Sequence, residues 1–331
     1  MAELADANDS RSFDRKVMRV QVSLPAQVKK KHKVLVIVGP TSSGKSELAV
    51  ELARKFDGEV VSADSRQVYK GLNIGTGKIS KREMGGVRHH LLDVKSPKKN
   101  FTAHDYVERG RRAIEEIARR KKLPIVAGGT GFYIDALLGR IALPNVAANL
   151  KLRAKLEMKT ATQLLAMLKK RDPRRAKTID PHNKRRLIRA LEIIEVLGKV
   201  PVVTASPSRD QHYDALWLGM TLQSKVIEKK IRARLRSRIR QGMIAEAKRL
   251  HQGGLSYARM RSFGLEYRAL ADLLEKRISR KEFEERLCRD IRRYAKRQFA
   301  YWRRNTDINW IEPNRKQRVV SVIRSWSSSG R

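Results

Sequence analysis

Val34-Leu35-Val36-Ile37-Val38-Gly39-Pro40-Thr41-Ser42-Ser43-Gly44-Lys45-Ser46 is the stretch on which the reading of this chain turns. Consecutive apolar residues, mostly β-branched and closed by Gly-Pro, predict a strand buried on both faces, as in a parallel sheet. The residues Gly39, Pro40, Thr41, Ser42, Ser43, Gly44, Lys45 and Ser46 satisfy the phosphate-loop pattern G-x-x-x-x-G-K-[ST]. Its glycines let backbone N–H groups face a concavity at a helix N-terminus, where Lys45 can bridge phosphate oxygens and Ser46 can hold Mg2+. Leu48, Ala49, Leu52 and Ala53 supply the stripe of the helix that must follow. A diphosphate site is expected; the motif alone leaves kinase, NTPase and transferase open.

Downstream, Glu59-Val60-Val61-Ser62 reads as a second strand, Ala113 to Ala118 as helix, and Pro124-Ile125-Val126-Ala127 as another buried strand before Gly128-Gly129. That alternation predicts an α/β fold with a P-loop NTPase-like parallel sheet core. After Pro144 the β signal fades into Lys- and Arg-rich helical patterns. Leu187, Ala190, Leu191, Ile194 and Leu197 form one stripe, with Gly198 as C-cap. Ala215 to Leu218 reads as a strand returning to the sheet. The period-4 series Ile227, Ile231, Leu235, Ile239, Met243 predicts one helix, on which Arg234 flanks the stripe and can reach an interior cleft. A last helix is expected over about 281–302, with Phe283, Leu287, Ile291 and Tyr294 inward. The expected organisation is a flexible N-terminal extension (1–30), a first part of the core (31–143), a helical insertion (144–200), a return to the core with basic C-terminal helices (201–312) and a C-terminal tail (313–331).

The 331 residues carry 74 Lys+Arg against 34 Asp+Glu, a formal net charge of +40, and such an excess implies a polyanionic partner, normally nucleic acid. The charge lies inside helical patterns: residues 151–200 hold 15 basic and 5 acidic side chains, and residues 221–304 hold 25 and 9. No run approaches the roughly 18 to 20 apolar residues of a membrane span, so no membrane association is expected. One cysteine, Cys288, rules out an intramolecular disulfide framework and a Cys-rich zinc module, and a cytoplasmic setting fits best.

Asp64-Ser65-Arg66-Gln67-Val68-Tyr69 leaves the second strand at its carboxyl end, where open α/β sheets bind ligands. A carboxylate there can hold Mg2+ or accept a proton; an ordinary turn or N-cap aspartate is the competing explanation. His89-His90 lacks a second pair of ligands at metal spacing and is expected to be structural.

Taken in order, Gly39 to Ser46, Asp64 to Tyr69, Asn73-Ile-Gly-Thr-Gly-Lys78, Gly86-Val-Arg-His-His-Leu-Leu-Asp93, Gly128-Gly-Thr-Gly-Phe-Tyr133, Asp172-Pro173, Arg186 to Glu192, and Lys296-Arg-Gln298 with Trp302-Arg303 resemble the tRNA dimethylallyltransferase (tRNA isopentenyltransferase) family over about residues 33–312. The resemblance implies transfer of a dimethylallyl group from dimethylallyl diphosphate to N6 of the adenosine 3′ of the anticodon, with Mg2+ as cofactor and no ATP hydrolysis. It implies Asp64 as the base, Thr130 near the amine, and Lys45, Ser46-bound Mg2+ and Arg234 against the charge on the leaving diphosphate. By the same resemblance Asp64, Ser65, Arg66, Gln67 and Thr130, then Arg185, Arg186 and Arg189 in a tRNA-binding insertion, and Lys296, Arg297, Gln298 and Arg303 on the last helix, meet tRNA. A monomer acting on tRNA is the expected form. The chain departs from the family where Lys230 replaces the first arginine of the R-I-x-x-R element and where Asn183 stands for an aspartate. A free-nucleotide prenyltransferase and a P-loop kinase or RNA-dependent ATPase remain alternative readings.

Overall fold

The computed structural model describes residues 31–201, 213–221, 223–312 and 316–328; the expected extension at 1–30 lies outside them. In chain order the elements are β1 (His32–Val38), α1 (Lys45–Lys55), β2 (Gly58–Ala63), α2 (Lys81–Met84), β3 (His89–His90), α3 (Ala103–Arg119), β4 (Leu123–Gly128) and α4 (Gly131–Leu137). Then come α5 (Leu150–Glu157), α6 (Ala161–Arg171), α7 (Pro173–Thr178), α8 (Lys184–Leu197), β5 (Tyr213–Met220), α9 (Ser224–Arg240), α10 (Met243–Gln252), α11 (Tyr257–Ser262), α12 (Leu265–Leu274), α13 (Arg280–Trp302), β6 (Ile308–Ile311) and α14 (Lys316–Ser328).

The six strands form one sheet in the order β3-β2-β4-β1-β5-β6, and every pairing is parallel. β1 is the middle of it, and its alternating side chains divide between two cores as strand geometry requires. Val34, Val36 and Val38 join the larger cluster, with residues of α3, α9 and α13, while Leu35 and Ile37 pack with Leu48 and Leu52 of α1. Because they run parallel, the neighbouring strands β2, β4 and β1 have their carboxyl ends on one side of the sheet, which brings Gly39, Asp64 and Gly129 together there.

Between α4 and β5 the helices α5 to α8 bury Leu156, Leu164, Leu168, Leu187, Leu191 and Ile194 in a third cluster of their own. Asp172, N-cap of α7, accepts from Arg175 N–H at 3.0 Å and from Val200 N–H at 3.0 Å, which closes this segment on itself. Glu192 is 1% exposed. It takes the Asn149 N–H at 2.7 Å and the guanidinium groups of Arg153 and Arg189.

Three expectations are corrected. The helix read through Ile227 to Met243 is two helices, because Gly242 adopts φ 97° and starts α10 afresh; apolar period 4 continues across the break. Leu197 is 48% exposed, and the buried stripe of α8 is completed by Ile188 and Ile193 instead. The stretch read as a tail contains α14, whose Val319 and Ile323 are buried against β1, β5 and α1 residues, with Trp326 Nε1 donating to Asp214 Oδ1 at 3.0 Å.

Candidate active site

The phosphate loop leaves β1 and turns into α1 at Gly44, whose φ of 97° favours glycine over any residue with a Cβ. Gly44 as N-cap has no side chain to occupy the first N–H groups of α1, which leaves them for an anion. Lys45 Nζ donates to Pro40 O at 2.6 Å, within its own loop. Burial, with the Arg234 charge adding and Asp64 opposing, lowers the Lys45 ammonium to about 7. A cleft of about 250 Å³ opens over the loop, lined by Lys45, Ser46, Asp64, Gln67, Arg234 and Gln298 among others. A larger hollow of about 1390 Å³ adjoins it past Ser46, Ile79 and Arg234.

Asp64 does two things at once. Its Oδ1 accepts from Arg66 N–H at 2.8 Å and Gln67 N–H at 3.2 Å, so it is the turn aspartate that composition alone would favour. Oδ2 has no hydrogen bond among the described residues, and the side chain lines the cleft. Thr130 follows β4 at the N-cap position of α4, but its hydroxyl does not cap that helix; Oγ1 accepts from Ser65 N–H at 3.1 Å. The turns after β2 and β4 are thereby joined beside Asp64. Arg234 reaches the cleft from α9 and donates to Gly77 O at 3.0 Å, the same carbonyl that Gln67 Nε2 approaches at 3.4 Å.

That carbonyl belongs to a loop held from outside the sheet. Glu246 accepts the N–H groups of Asn73, Ile74 and Gly75 at 2.8 to 3.0 Å and the Tyr267 hydroxyl at 2.7 Å. Arg238 donates to Ile74 O at 2.7 Å and to Gly75 O. Lys78 is anchored on Tyr69 O at 2.8 Å and Asp93 Oδ1 at 2.5 Å, linking this motif to the end of the next. Arg238 and Glu246 escape a reading by motif. Their signal in the sequence is a charge on an apolar stripe, Arg238 between Leu235 and Ile239 and Glu246 beside Ala247. His90 also has a structural partner, the buried Glu59 carboxylate at 2.7 Å, which Arg120 holds from the other side at 2.8 Å.

The remaining residues of interest separate into two groups. Arg185, Arg186, Lys296, Arg297 and Arg303 are exposed, and Ser65 and Arg66 are half-buried. Arg189 instead pairs with buried Glu192 and donates to Val146 O at 2.9 Å, so it holds α8 against the start of the insertion. Gln298 is buried and faces the cleft, where it joins Thr41 to Gly129. Asn183 caps α8 through Arg186 N–H at 3.2 Å, a task aspartate performs equally, so this departure leaves the helix start intact. Among the described residues no group of three or more His, Cys, Asp or Glu side chains is placed to hold a metal ion, and no helix is long and apolar enough to cross a membrane.

A wholly parallel sheet with a phosphate-loop sequence on a central strand, and a carboxylate and two basic side chains in the cleft above, defines a P-loop α/β protein. The family model for IPP transferase matches residues 67–305. tRNA dimethylallyltransferase from Bacillus licheniformis is 38% identical over 308 residues, covering 89% of this chain and 98% of that protein. The crystal structure of the full-length tRNA isopentenylpyrophosphate transferase from Bacillus halodurans superposes with a TM-score of 0.67 at 34% identity, over 90% of this chain and 97% of that one. A eukaryotic dimethylallyltransferase acting on tRNA superposes with a TM-score of 0.75 at 27% identity, over 90% and 80% of the two chains. The chain belongs to the IPP transferase family.

Proposed function

We propose that this protein transfers the dimethylallyl group of dimethylallyl diphosphate to the exocyclic N6 of the adenosine 3′ of the anticodon in tRNA. The observation that carries the reading is the meeting of Lys45, Asp64 and Arg234 in one cleft at the carboxyl edge of the sheet. An exocyclic amine is a poor nucleophile, so its proton must leave as it attacks. Asp64 Oδ2 takes that proton while Oδ1 stays bound to its turn. The N6–C1 bond forms, the C1–O bond breaks, and diphosphate departs with the electron pair. Thr130 sets the distance between the two turns through Ser65 and holds the amine edge near Asp64. The N–H groups of α1, Lys45 and Arg234 take up the charge that develops on the leaving oxygens.

The residues present fit Mg2+. This cation keeps several waters and binds through substrate oxygens with few protein ligands, and the Ser46 hydroxyl beside the diphosphate site is a hard donor of that kind. When bound there it adds positive charge to the leaving diphosphate. Access to a base within folded RNA requires the base to leave its stack, and the exposed Arg185, Arg186, Lys296, Arg297 and Arg303 would hold the flanking backbone.

Incubation with dimethylallyl diphosphate and either unmodified tRNA or AMP, followed by mass analysis of nucleosides, tests the proposal. A prenylated adenosine in tRNA is expected. Exclusive modification of AMP, or ATP turnover without prenyl transfer, would overturn it.

A further inference from the structure

Gln298 carries more than its place beside two surface cations suggests. It is 7% exposed and lies on α13 in line with Ile291 and Tyr294, on the helix face turned to the core. Its carboxamide is used at both ends. Oε1 accepts from Thr41 N–H in the phosphate loop at 2.8 Å, and Nε2 donates to Gly129 O, in the turn before Thr130, at 2.8 Å. The fit leaves no slack: a Cβ on Gly129 would stand 2.1 Å from Gln298 Nε2, and one on Gly131 would stand 2.2 Å from the Tyr301 ring. One turn further on, the Tyr301 hydroxyl donates to Asp135, so α13 is fastened both to this turn and to α4, the helix that follows it.

A chain of hydrogen bonds therefore runs from Thr41 through Gln298 to Gly129, and from Thr130 through Ser65 N–H to the turn that holds Asp64. The two residues before Gln298, Lys296 and Arg297, are exposed on the outer side of the same helical turn. We infer that Gln298 is a positioning residue that couples RNA seated on α13 to the diphosphate loop, so that donor and acceptor bind cooperatively. This rests on the prenyl-transfer reading for the identity of the ligands. A helix cannot bend within one turn without losing its own ladder, so a shift of Lys296 and Arg297 onto a phosphate backbone carries Gln298 with it. Thr41 N–H and Gly129 O then move together, and the donor site closes to a degree set by the RNA.

The test measures the affinity of inorganic diphosphate with Mg2+, alone and at saturating unmodified anticodon stem-loop RNA, for wild type, Gln298→Ala and Gln298→Glu. Wild type should bind diphosphate at least about fivefold more tightly with RNA, the lower end of ordinary couplings. Gln298→Ala should bring that factor close to one, the coupling being read as the ratio of the variant's own diphosphate affinities with and without RNA, whatever its affinity for either ligand alone. Gln298→Glu keeps an acceptor for Thr41 N–H but sets a carboxylate against Gly129 O. It should lower both the coupling and kcat, and raise the KM for the prenyl donor at saturating RNA in proportion to the coupling lost. Absence of coupling in wild type, or its survival in both variants, would overturn the inference. Loss of coupling only together with the melting transition would make Gln298 merely structural and overturn it too. Prenyl transfer is scored separately, so wild type that couples diphosphate to RNA without transferring a prenyl group would sink the reaction and not the coupling.

Discussion

Asp64 shows why the choice of substitution decides what a mutant reports. Asparagine keeps an Oδ1 acceptor for the N–H groups of Arg66 and Gln67, whereas alanine strips the turn of both bonds. Asp64→Asn should lower turnover by about 10²- to 10⁴-fold, the usual contribution of a positioned base, with tRNA affinity unchanged. Asp64→Ala should lose turnover and also disturb the Ser65–Thr130 link; near-normal single-turnover rates for Asp64→Asn would show that another group removes the proton. Lys45 makes a pH prediction of definite sign. Held at about 7 by burial and by Arg234, it is largely neutral above that pH in the free protein. A bound diphosphate favours its charged form, so the complex holds more protons above pH 7, and affinity must fall as pH rises. Titration at pH 8 should show proton uptake, seen as a binding enthalpy that varies with buffer, and Lys45→Arg should flatten the pH dependence because arginine stays charged. An identical slope for the two proteins would refute this account of Lys45.

At the scale of elements, the sequence announced what depends on short-range pattern and withheld what depends on partners far along the chain. Val34 to Val38, the phosphate loop and α13 were legible because strand burial, glycine placement and helical spacing are written in neighbouring residues. Gly242 was missed because apolar spacing runs through it, and α14 because its face is covered by β1 and β5 residues that pattern alone does not identify. Arg189 was drawn to the RNA surface by its motif, yet its partner Glu192 lies one helical turn away and is buried. Burial would raise that carboxyl, but hydrogen bonds from Arg153, Arg189 and Asn149 N–H hold it at about 2, against an ordinary 4.5. A depressed carboxyl contributes stability above its unfolded value and loses it as pH falls toward the folded one. The insertion helices α5 to α8 should therefore weaken between about pH 4.5 and 2, by up to about 3 kcal/mol for the shift as a whole. Glu192→Gln should remove most of that acid dependence and lower the neutral-pH melting temperature; an unaltered acid transition would show that Glu192 does not control it.

The net charge of +40 belongs to the whole molecule, and it makes affinity for RNA a poor witness to any one contact. Such a surface attracts polyanions whatever their sequence, and the attraction fades with salt as counterions are exchanged. What identifies a contact is the slope of log affinity against log salt, because each neutralised phosphate releases close to one counterion. Arg186 is exposed and its side chain has no acidic partner among the described residues; Arg189, one turn on, is spent on Glu192 and Val146 O. Arg186→Glu should weaken tRNA binding and lower the slope by about one or somewhat more, since a contact is lost and a repulsion gained. Arg189→Gln should leave the slope unchanged and lower the melting temperature, because it leaves the buried Glu192 carboxylate with one cation fewer. Measured side by side from about 50 to 200 mM salt, where such slopes are well resolved, the two variants separate a backbone-binding arginine from one that builds the surface it stands on. If Arg189→Gln changes the slope and Arg186→Glu does not, the assignment is reversed, and tRNA must displace the Glu192 pair to bind.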